Sequence, residues 1–145
     1  LAGEKAKHIS KAHPDRYVIG ADQTLALGTR LFSKPADHAA AADQLRSMSG
    51  QIHTLNSAVA VAKGGRVLFS DIAVARMTMR KLDDHAITDY LALAGDRVTL
   101  SVGAYQLEGA GVHLFERIDG DYFTILGLPL LPLLAFLRGH DLLTV

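Results

Sequence analysis

The sequence contains no cysteine, and this absence excludes several kinds of chemistry. Without cysteine there can be no disulfide framework, no thiolate nucleophile and no cysteine-based metal site. The absence fits a reducing compartment, and we therefore expect a cytoplasmic protein. The histidines also lack the i, i+4 spacing that places a metal-binding pair on one helix face, which disfavours a histidine metal site.

The sequence also lacks a charge excess and a long uninterrupted apolar run. Its 15 Lys and Arg residues balance its 15 Asp and Glu residues, so no overall field attracts nucleic acid or an anionic membrane. The most apolar stretch, residues 123–137, contains two prolines and is shorter than the ~20 residues that a membrane-spanning helix needs. We expect it to be a buried core segment. Neither nucleic acid nor a membrane is an expected partner.

The patterns that are present predict one α/β domain over residues 1–145, with a mixed, largely antiparallel sheet and flanking helices. Apolar periodicity and turn residues predict the following elements: a helix over 1–13, a short strand over 17–21, a continuation at Leu25 and Leu27 into a hairpin at 28–29, a helix over 37–48, paired strands over 52–62 and 66–79, a helix from Asp83 to Gly95, a strand over 112–118 and a last helix from Pro129 or Pro132 to Arg138. No Walker loop, His-Glu-x-x-His or Gly-x-Ser-x-Gly motif occurs.

Two polar positions beside these elements could support chemistry. Asp22 follows a short apolar run, and an acidic residue at the end of a buried strand is a usual metal ligand or general base. A carboxylate that only caps a turn is the alternative. Lys34 and Pro35 directly precede a helix, where an ammonium group and the helix N-terminal amides could hold phosphate oxygens. A solvated surface lysine is the alternative for Lys34.

A later glycine-rich segment, residues 102–109, offers a second kind of site. Its glycines allow the backbone to approach a ligand, while Tyr105 and Glu108 supply a ring and a carboxylate. A glycine-rich turn between two strands is the alternative. The segment 120–129 joins a polar turn to the start of an apolar helix, and its Leu and Ile residues are expected in the core.

Taken in order, these segments resemble the Maf family, also called septum formation or Maf-like proteins. The motifs that carry the resemblance are Gly20-Ala21-Asp22, Lys34-Pro35, Ser49-Gly50, Gly103-Ala104-Tyr105, Gly127-Leu128-Pro129 and the opening Leu1-Ala2-Gly3-Glu4-Lys5-Ala6. The family's Ser-x-Ser-Pro-Arg-Arg phosphate loop has no match here, and we expect the natural protein to contain it upstream. The resemblance implies a Maf/inosine triphosphatase-like fold.

The resemblance also implies nucleoside triphosphate pyrophosphatase activity with a divalent metal, Mg or Mn. On that pattern Asp22 would activate the attacking water or bind the metal, and Lys34 and Lys5 would stabilise charge on the phosphates. Family members are often dimers, so a homodimer is possible. A non-catalytic Maf-like regulator of cell division and septum formation is the alternative in another functional class.

Two positions bear on the nucleotide. Gln23 after the aspartate and Glu108 in the later loop resemble the subfamily that acts on 7-methyl-GTP, whereas many dTTP and UTP enzymes of the family have Thr and Gln there. A carboxylate can accept hydrogen bonds from guanine N1–H and N2–H2 together, which agrees with this resemblance. Substrate-binding roles are therefore expected for Gln23, Tyr105 and Glu108. The alternative for Glu108 is an ion pair with a nearby Arg or Lys.

Overall fold

The structure, a computed structural model, describes residues 1–145 and contains one five-stranded open sheet in the order β2-β1-β3-β4-β5. The strands are β1 (Val18–Leu27), β2 (Arg30–Phe32), β3 (Ile52–Lys63), β4 (Arg66–Met79) and β5 (Phe115–Asp119). The helices are α1 (Ala2–Ala12), α2 (His38–Met48), α3 (Asp84–Ala94), α4 (Tyr122–Leu126) and α5 (Leu130–Gly139), with 3-10 turns at Gly95–Thr99, Val102–Ala104 and Ala110–Leu114. The predicted α/β class with a largely antiparallel sheet is confirmed.

Local sequence signals account for most of these element boundaries. Asp37 and Asp83 cap α2 and α3, and each carboxylate accepts a hydrogen bond from the backbone three residues later at 2.8 Å. The β3–β4 hairpin turns at Gly64 and Gly65, whose positive φ angles of 60° and 81° cost a glycine little. The predicted helices and hairpins at these positions are confirmed.

The prediction that Asp22 lies at a strand end is wrong. β1 continues through Leu25 to Leu27 before the chain turns at Gly28, and Leu25 pairs with Phe32 of β2. Asp22 is therefore inside the strand. The polar run after Ala21 resembles a strand end in sequence, but extended backbone tolerates polar side chains wherever they are partly exposed.

The C-terminal third differs from prediction in three respects. Residues 110–114 form a 3-10 turn and only then does β5 begin, because Gly109 and Gly111 turn the chain tightly. The short helix α4 was not predicted. The segment 123–137 is only partly buried: Leu133 is in the core but Leu131 is 59% exposed, since α5 packs along one face. No helix has the length and apolar character needed to cross a membrane.

The chain divides into two compact units. The first unit comprises Leu1–Gln23, Asn56–Val74 and Asp121–Val145. Alternate residues of β3 pack in opposite directions within it: Ala60 and Ala62 pack on Ala2 and Ala6 of α1, whereas Val59 and Val61 pack on Leu133 of α5. The central strand of this unit is thus covered by a helix on each face.

The second unit comprises Thr24–Leu55 and Ala75–Gly120. Within it α2 contacts α3 and the first two 3-10 turns, and Ser49 at the end of α2 exchanges two hydrogen bonds with the backbone of Leu82. Its fully buried large side chains include Leu25, Leu45, Met48, Met77, Met79, Ile87, Val98 and Leu114. The single-domain prediction stays a prediction.

Candidate active site

A glycine determines how closely α1 approaches β1 in the first unit. A Cβ atom at Gly20 would lie 2.4 Å from the backbone oxygen of Ala2 and 3.0 Å from the backbone nitrogen of Ala6. Only a residue without a side chain fits at that distance. Because residues two apart on a strand face the same side, the side chain of Asp22 is presented toward the same helix.

Lys5 of α1 contacts Asp22 on that side. Its Nζ lies 2.9 Å from Asp22 Oδ1 and 3.5 Å from the carbonyl oxygen of Ala21. The carboxylate is 21% exposed and the ammonium group's side chain 51% exposed, so water and solutes reach both. An ammonium group has three N–H donors, and at least one remains for a further partner.

Gln23 makes its contacts through the nitrogen of its side-chain amide. Nε2 donates hydrogen bonds to three oxygen atoms. It lies 3.1 Å from Ser57 Oγ, 3.2 Å from the carbonyl oxygen of Thr124 and 2.9 Å from that of Ile125. Lys5, Asp22, Gln23 and Ser57 are together called the polar cluster below. The predicted role of Gln23 in binding substrate stays a prediction, but its amide nitrogen is already occupied by the protein.

Lys34 lies in the second unit, exposed and just before α2. The segment that carries it is anchored by Gln44 of α2, whose Nε2 donates to the carbonyl oxygen of Ser33 at 2.7 Å. Oε1 of the same amide accepts a hydrogen bond from the backbone N–H of Gly103 at 3.2 Å. One glutamine therefore holds two of the segments that the sequence singled out.

Tyr105 lies in the interior of the second unit, not on its surface. Its hydroxyl is 2.7 Å from Nε2 of His53, and the rings of both residues contact that of Phe115. His53, Tyr105 and Phe115 are called the aromatic cluster below. Tyr105 is 5% exposed, so its hydroxyl serves the fold and does not face solvent. Its predicted role in binding substrate stays a prediction.

Two backbone features place Tyr105 in this position. Gly103 has a φ of 83°, and a Cβ atom there would lie 2.5 Å from Cδ1 of Leu25. Ala104 follows with a φ of 64°, a conformation that a residue with a Cβ adopts at a cost of ~1 kcal/mol or more. The hydroxyl of Tyr90 donates to the carbonyl oxygen of Ala104 at 2.7 Å and holds it there. Residues 103–105 thus form a tightly packed turn that a hydrogen bond holds.

Glu108, in contrast, is exposed and forms no ion pair with Arg or Lys. The structure therefore does not contain the ion pair with Arg or Lys that was the alternative for Glu108. The adjacent turn is closed by the backbone N–H groups of Gly109 and Gly111, which both donate to the carbonyl oxygen of Gln106 at 3.1 Å. The carboxylate of Glu108 remains free to accept hydrogen bonds from a solute.

A divalent metal ion requires suitably placed side-chain ligands. No group of three or more His, Asp or Glu side chains is placed to hold a metal ion. Asp22 supplies a partly exposed carboxylate, of which Lys5 contacts Oδ1. Mg²⁺ is commonly bound by one or two carboxylates together with water and substrate phosphates, so Asp22 fits such a site but a dedicated protein cage is not present.

Comparison with known proteins decides the family. The family model described as Maf-like protein matches residues 1–140. The chain belongs to the Maf family. The resemblance seen in the ordered motifs is confirmed over nearly the whole chain.

Relatives of this Maf chain carry names that describe one type of activity. A nucleoside triphosphate pyrophosphatase of Bradyrhizobium diazoefficiens is 65% identical over 145 residues, which are all of this chain and 72% of the relative. A protein of the same name in Rhodopseudomonas palustris is 63% identical over the same shares. A 7-methyl-GTP pyrophosphatase of Rhizobium meliloti is 53% identical over 95% of this chain and 69% of its own length.

The Maf chain contains hydrogen bonds beside the candidate site residues that sequence reasoning missed. Ser57 and Gln44 were not singled out, although each holds a segment that was. A polar residue at a buried position of an alternating strand was the one available signal for Ser57, since Leu55 and Val59 on either side are apolar. The structure brings Lys5 and Asp22 together in the first unit, whereas the side chain of Gln23 contacts Ser57 and the backbone of α4 on the other face of β1.

Proposed function

We propose that this Maf chain is the catalytic part of a nucleoside triphosphate pyrophosphatase, with Asp22 as its catalytic carboxylate. The contact between Lys5 and Asp22 is the observation that supports this most directly. It places a carboxylate and an ammonium group side by side where solutes reach them. The names of relatives that are 53–65% identical point to the same reaction.

The chemistry requires one bond to form and one to break. Oxygen of a water molecule attacks the α-phosphorus, the bond from that phosphorus to the bridging oxygen breaks, and pyrophosphate leaves with the electron pair. Asp22 is suited to accept the proton that the water loses. The remaining N–H donors of Lys5 are suited to stabilise negative charge on the phosphate oxygens, which is the main task of a protein in phosphoryl chemistry.

Charge on the triphosphate calls for a divalent cation as well, and we propose Mg²⁺ or Mn²⁺. Asp22 would hold it together with phosphate oxygens and water, and the cation would neutralise charge that develops on the leaving group. The exposed ammonium group of Lys34 stays a predicted phosphate ligand, supported by its place directly before α2.

Among nucleotides we propose 7-methyl-GTP or a closely related modified nucleotide as the preferred substrate. Glu108 supports this because its exposed carboxylate has no partner of opposite charge within the protein. Such a group can accept two hydrogen bonds from the guanine edge and favours the positive charge of a 7-methylated base. The Rhizobium meliloti relative carries the name 7-methyl-GTP pyrophosphatase. UTP and dTTP are the competing substrates.

Product analysis in heavy-oxygen water tests the proposal. Purified full-length protein with MgCl2 or MnCl2 is given 7-methyl-GTP, GTP, UTP and dTTP separately, and products are identified by mass spectrometry. We expect a nucleoside monophosphate that carries the heavy oxygen, with unlabelled pyrophosphate. Label in pyrophosphate, release of single phosphates, or no hydrolysis of any of the four would overturn the proposal and favour a non-catalytic regulator or a different hydrolase.

A further inference from the structure

Two fully buried polar residues of the first unit contact Gln23 of β1. Ser57 is 0% exposed and Thr124 is 2% exposed. Burying a polar group costs free energy unless it is hydrogen-bonded, so a buried polar side chain normally has a hydrogen-bond partner. Both side chains belong to a network that ends at Gln23, the residue after the proposed catalytic carboxylate.

The donors and acceptors in this network allow only one arrangement of hydrogen bonds. Ser57 has a single hydroxyl hydrogen, and it is donated to the carbonyl oxygen of Thr124 at 2.6 Å. Ser57 Oγ therefore meets Gln23 as an acceptor, as do the carbonyl oxygens of Thr124 and Ile125. Only the NH2 end of the Gln23 amide can face three acceptors. The orientation of the amide is thus fixed by chemistry.

The network joins the middle of β1 to α4. The N-terminus of α4 is itself held by Asp121, whose Oδ2 accepts hydrogen bonds from the backbone N–H and the hydroxyl of Thr124, each at 3.0 Å. Neighbouring residues of a strand face opposite sides, so Gln23 is held on the side away from α1 while Asp22 contacts Lys5. This stretch of β1 is therefore tied on both faces.

We propose that Ser57 and Gln23 are positioning residues that hold the backbone of β1, and hence the carboxylate of Asp22, in the place needed for reaction. The proposal rests on the pyrophosphatase function proposed above. Displacement of a catalytic group by ~1 Å can lower a rate by ~100-fold. Loss of the network is expected to reduce kcat by about tenfold or more, with little change in KM.

A double-mutant comparison with Asp22 tests this. Ser57→Ala and Gln23→Met, which removes the amide but keeps the length of the side chain, are measured alone and in the Asp22→Asn background with 7-methyl-GTP and UTP. We expect each single variant to lower kcat similarly for both nucleotides, and to have an effect at least threefold smaller when Asp22 is already replaced. Ser57→Thr, which retains the hydroxyl, is expected to recover most of the activity if it folds.

The controls are Ser70→Ala and Gln51→Met, which replace exposed residues of the same types. Thermal unfolding accompanies every variant, and either Ser57→Ala or Gln23→Met suffices if the other does not fold. If a variant lowered kcat by the same factor with and without Asp22, the proposal would be overturned. A changed ratio of kcat/KM for 7-methyl-GTP over UTP would also overturn it and would make Gln23 a base-reading residue. An inactive full-length wild-type protein would instead contradict the proposed function.

Discussion

The polar cluster and the aromatic cluster both contain titratable side chains, but water reaches them to very different extents. Asp22 is 21% exposed and pairs with a lysine, whereas His53 is 1% exposed and pairs with a tyrosine. A partly exposed carboxylate can exchange protons with water and meet a solute. A buried neutral pair can do neither. Burial therefore distinguishes residues suited to chemistry from residues suited to stability.

The pKa values in the aromatic cluster follow from burial. Desolvation lowers the pKa of His53 to about 4, because the charged imidazolium is disfavoured in the interior. Nδ1 of His53 also has no hydrogen-bond partner, so a second ring proton would be unsatisfied. Burial raises the pKa of Tyr105 well above its usual value, with a smaller contribution from Tyr90. Both partners are neutral near pH 7.

The largest expected effect breaks the polar cluster. Asp22→Asn keeps the shape of the side chain but removes the base, and we expect turnover to fall by at least ~100-fold, the lower end of what general acid-base catalysis contributes. Steady-state kinetics measures the loss, and Asp15→Asn, at an exposed carboxylate of the same unit, is the control. Near-normal turnover in a folded Asp22→Asn protein would show that another group is the base.

A large effect on stability is expected from acidifying the aromatic cluster. A histidine whose pKa is lower when folded than unfolded takes up its proton mainly on unfolding, so its stabilising contribution is complete above pH 6.5 and is lost as the pH falls through 4. The difference in pKa corresponds to about 3 kcal/mol of unfolding free energy.

Urea unfolding between pH 7 and pH 4 tests this. His53→Gln should lose much less stability over this range than the wild type, while His8→Gln, at an exposed histidine, should behave as the wild type does. Identical pH dependence in all three proteins would contradict a neutral buried His53.

A smaller effect tests base selection by Glu108. Glu108→Gln loses one acceptor and presents an amide donor toward a guanine donor, and a good bidentate contact is worth roughly 1 to 3 kcal/mol. We expect the ratio of kcat/KM for 7-methyl-GTP over UTP to shrink by about tenfold. Glu116→Gln, at an exposed glutamate, should leave it unchanged. An unchanged ratio in the Glu108 variant would mean that Glu108 does not read the base.

The smallest effect is expected from a substitution in the aromatic cluster that changes stability but not activity. Tyr105→Phe removes the hydroxyl from His53, and we expect a cost of about 1 kcal/mol in unfolding free energy with kcat/KM unchanged. Tyr122→Phe, at a half-exposed tyrosine, should change neither quantity. A clear fall in kcat/KM without loss of stability would show that the Tyr105 hydroxyl contacts substrate.

Helix caps, hairpin glycines and strand pairs could be predicted because each depends on residues within a few positions of one another. Asp37 and Asp83 begin helices, and Gly64 and Gly65 turn a hairpin, as the sequence predicts. α4 was missed because its five residues are too few to show a repeated amphipathic pattern.

Contacts within the site were harder to foresee. Gln23 resembles a substrate-binding residue in sequence, yet its amide nitrogen is bound to carbonyl oxygens about a hundred residues further along the chain. Tyr105 was expected to meet substrate, and its burial depends on the positive φ angles of the two residues before it. Lys5 was chosen from resemblance alone, whereas Asp22 was also chosen as a strand-end carboxylate, which it is not. The contact between them depends on the close approach of α1 to β1.

The glycine at that approach also selects the pairing register of β1 during folding. If β1 slipped by one residue, Ala21 or Ile19 would face the backbone of α1 where Gly20 fits, and a Cβ atom there collides with the carbonyl oxygen of Ala2. The same slip would turn Asp22 to the opposite face of the sheet. A chain folded in the wrong register would therefore lose both the close packing of β1 on α1 and the contact between Asp22 and Lys5.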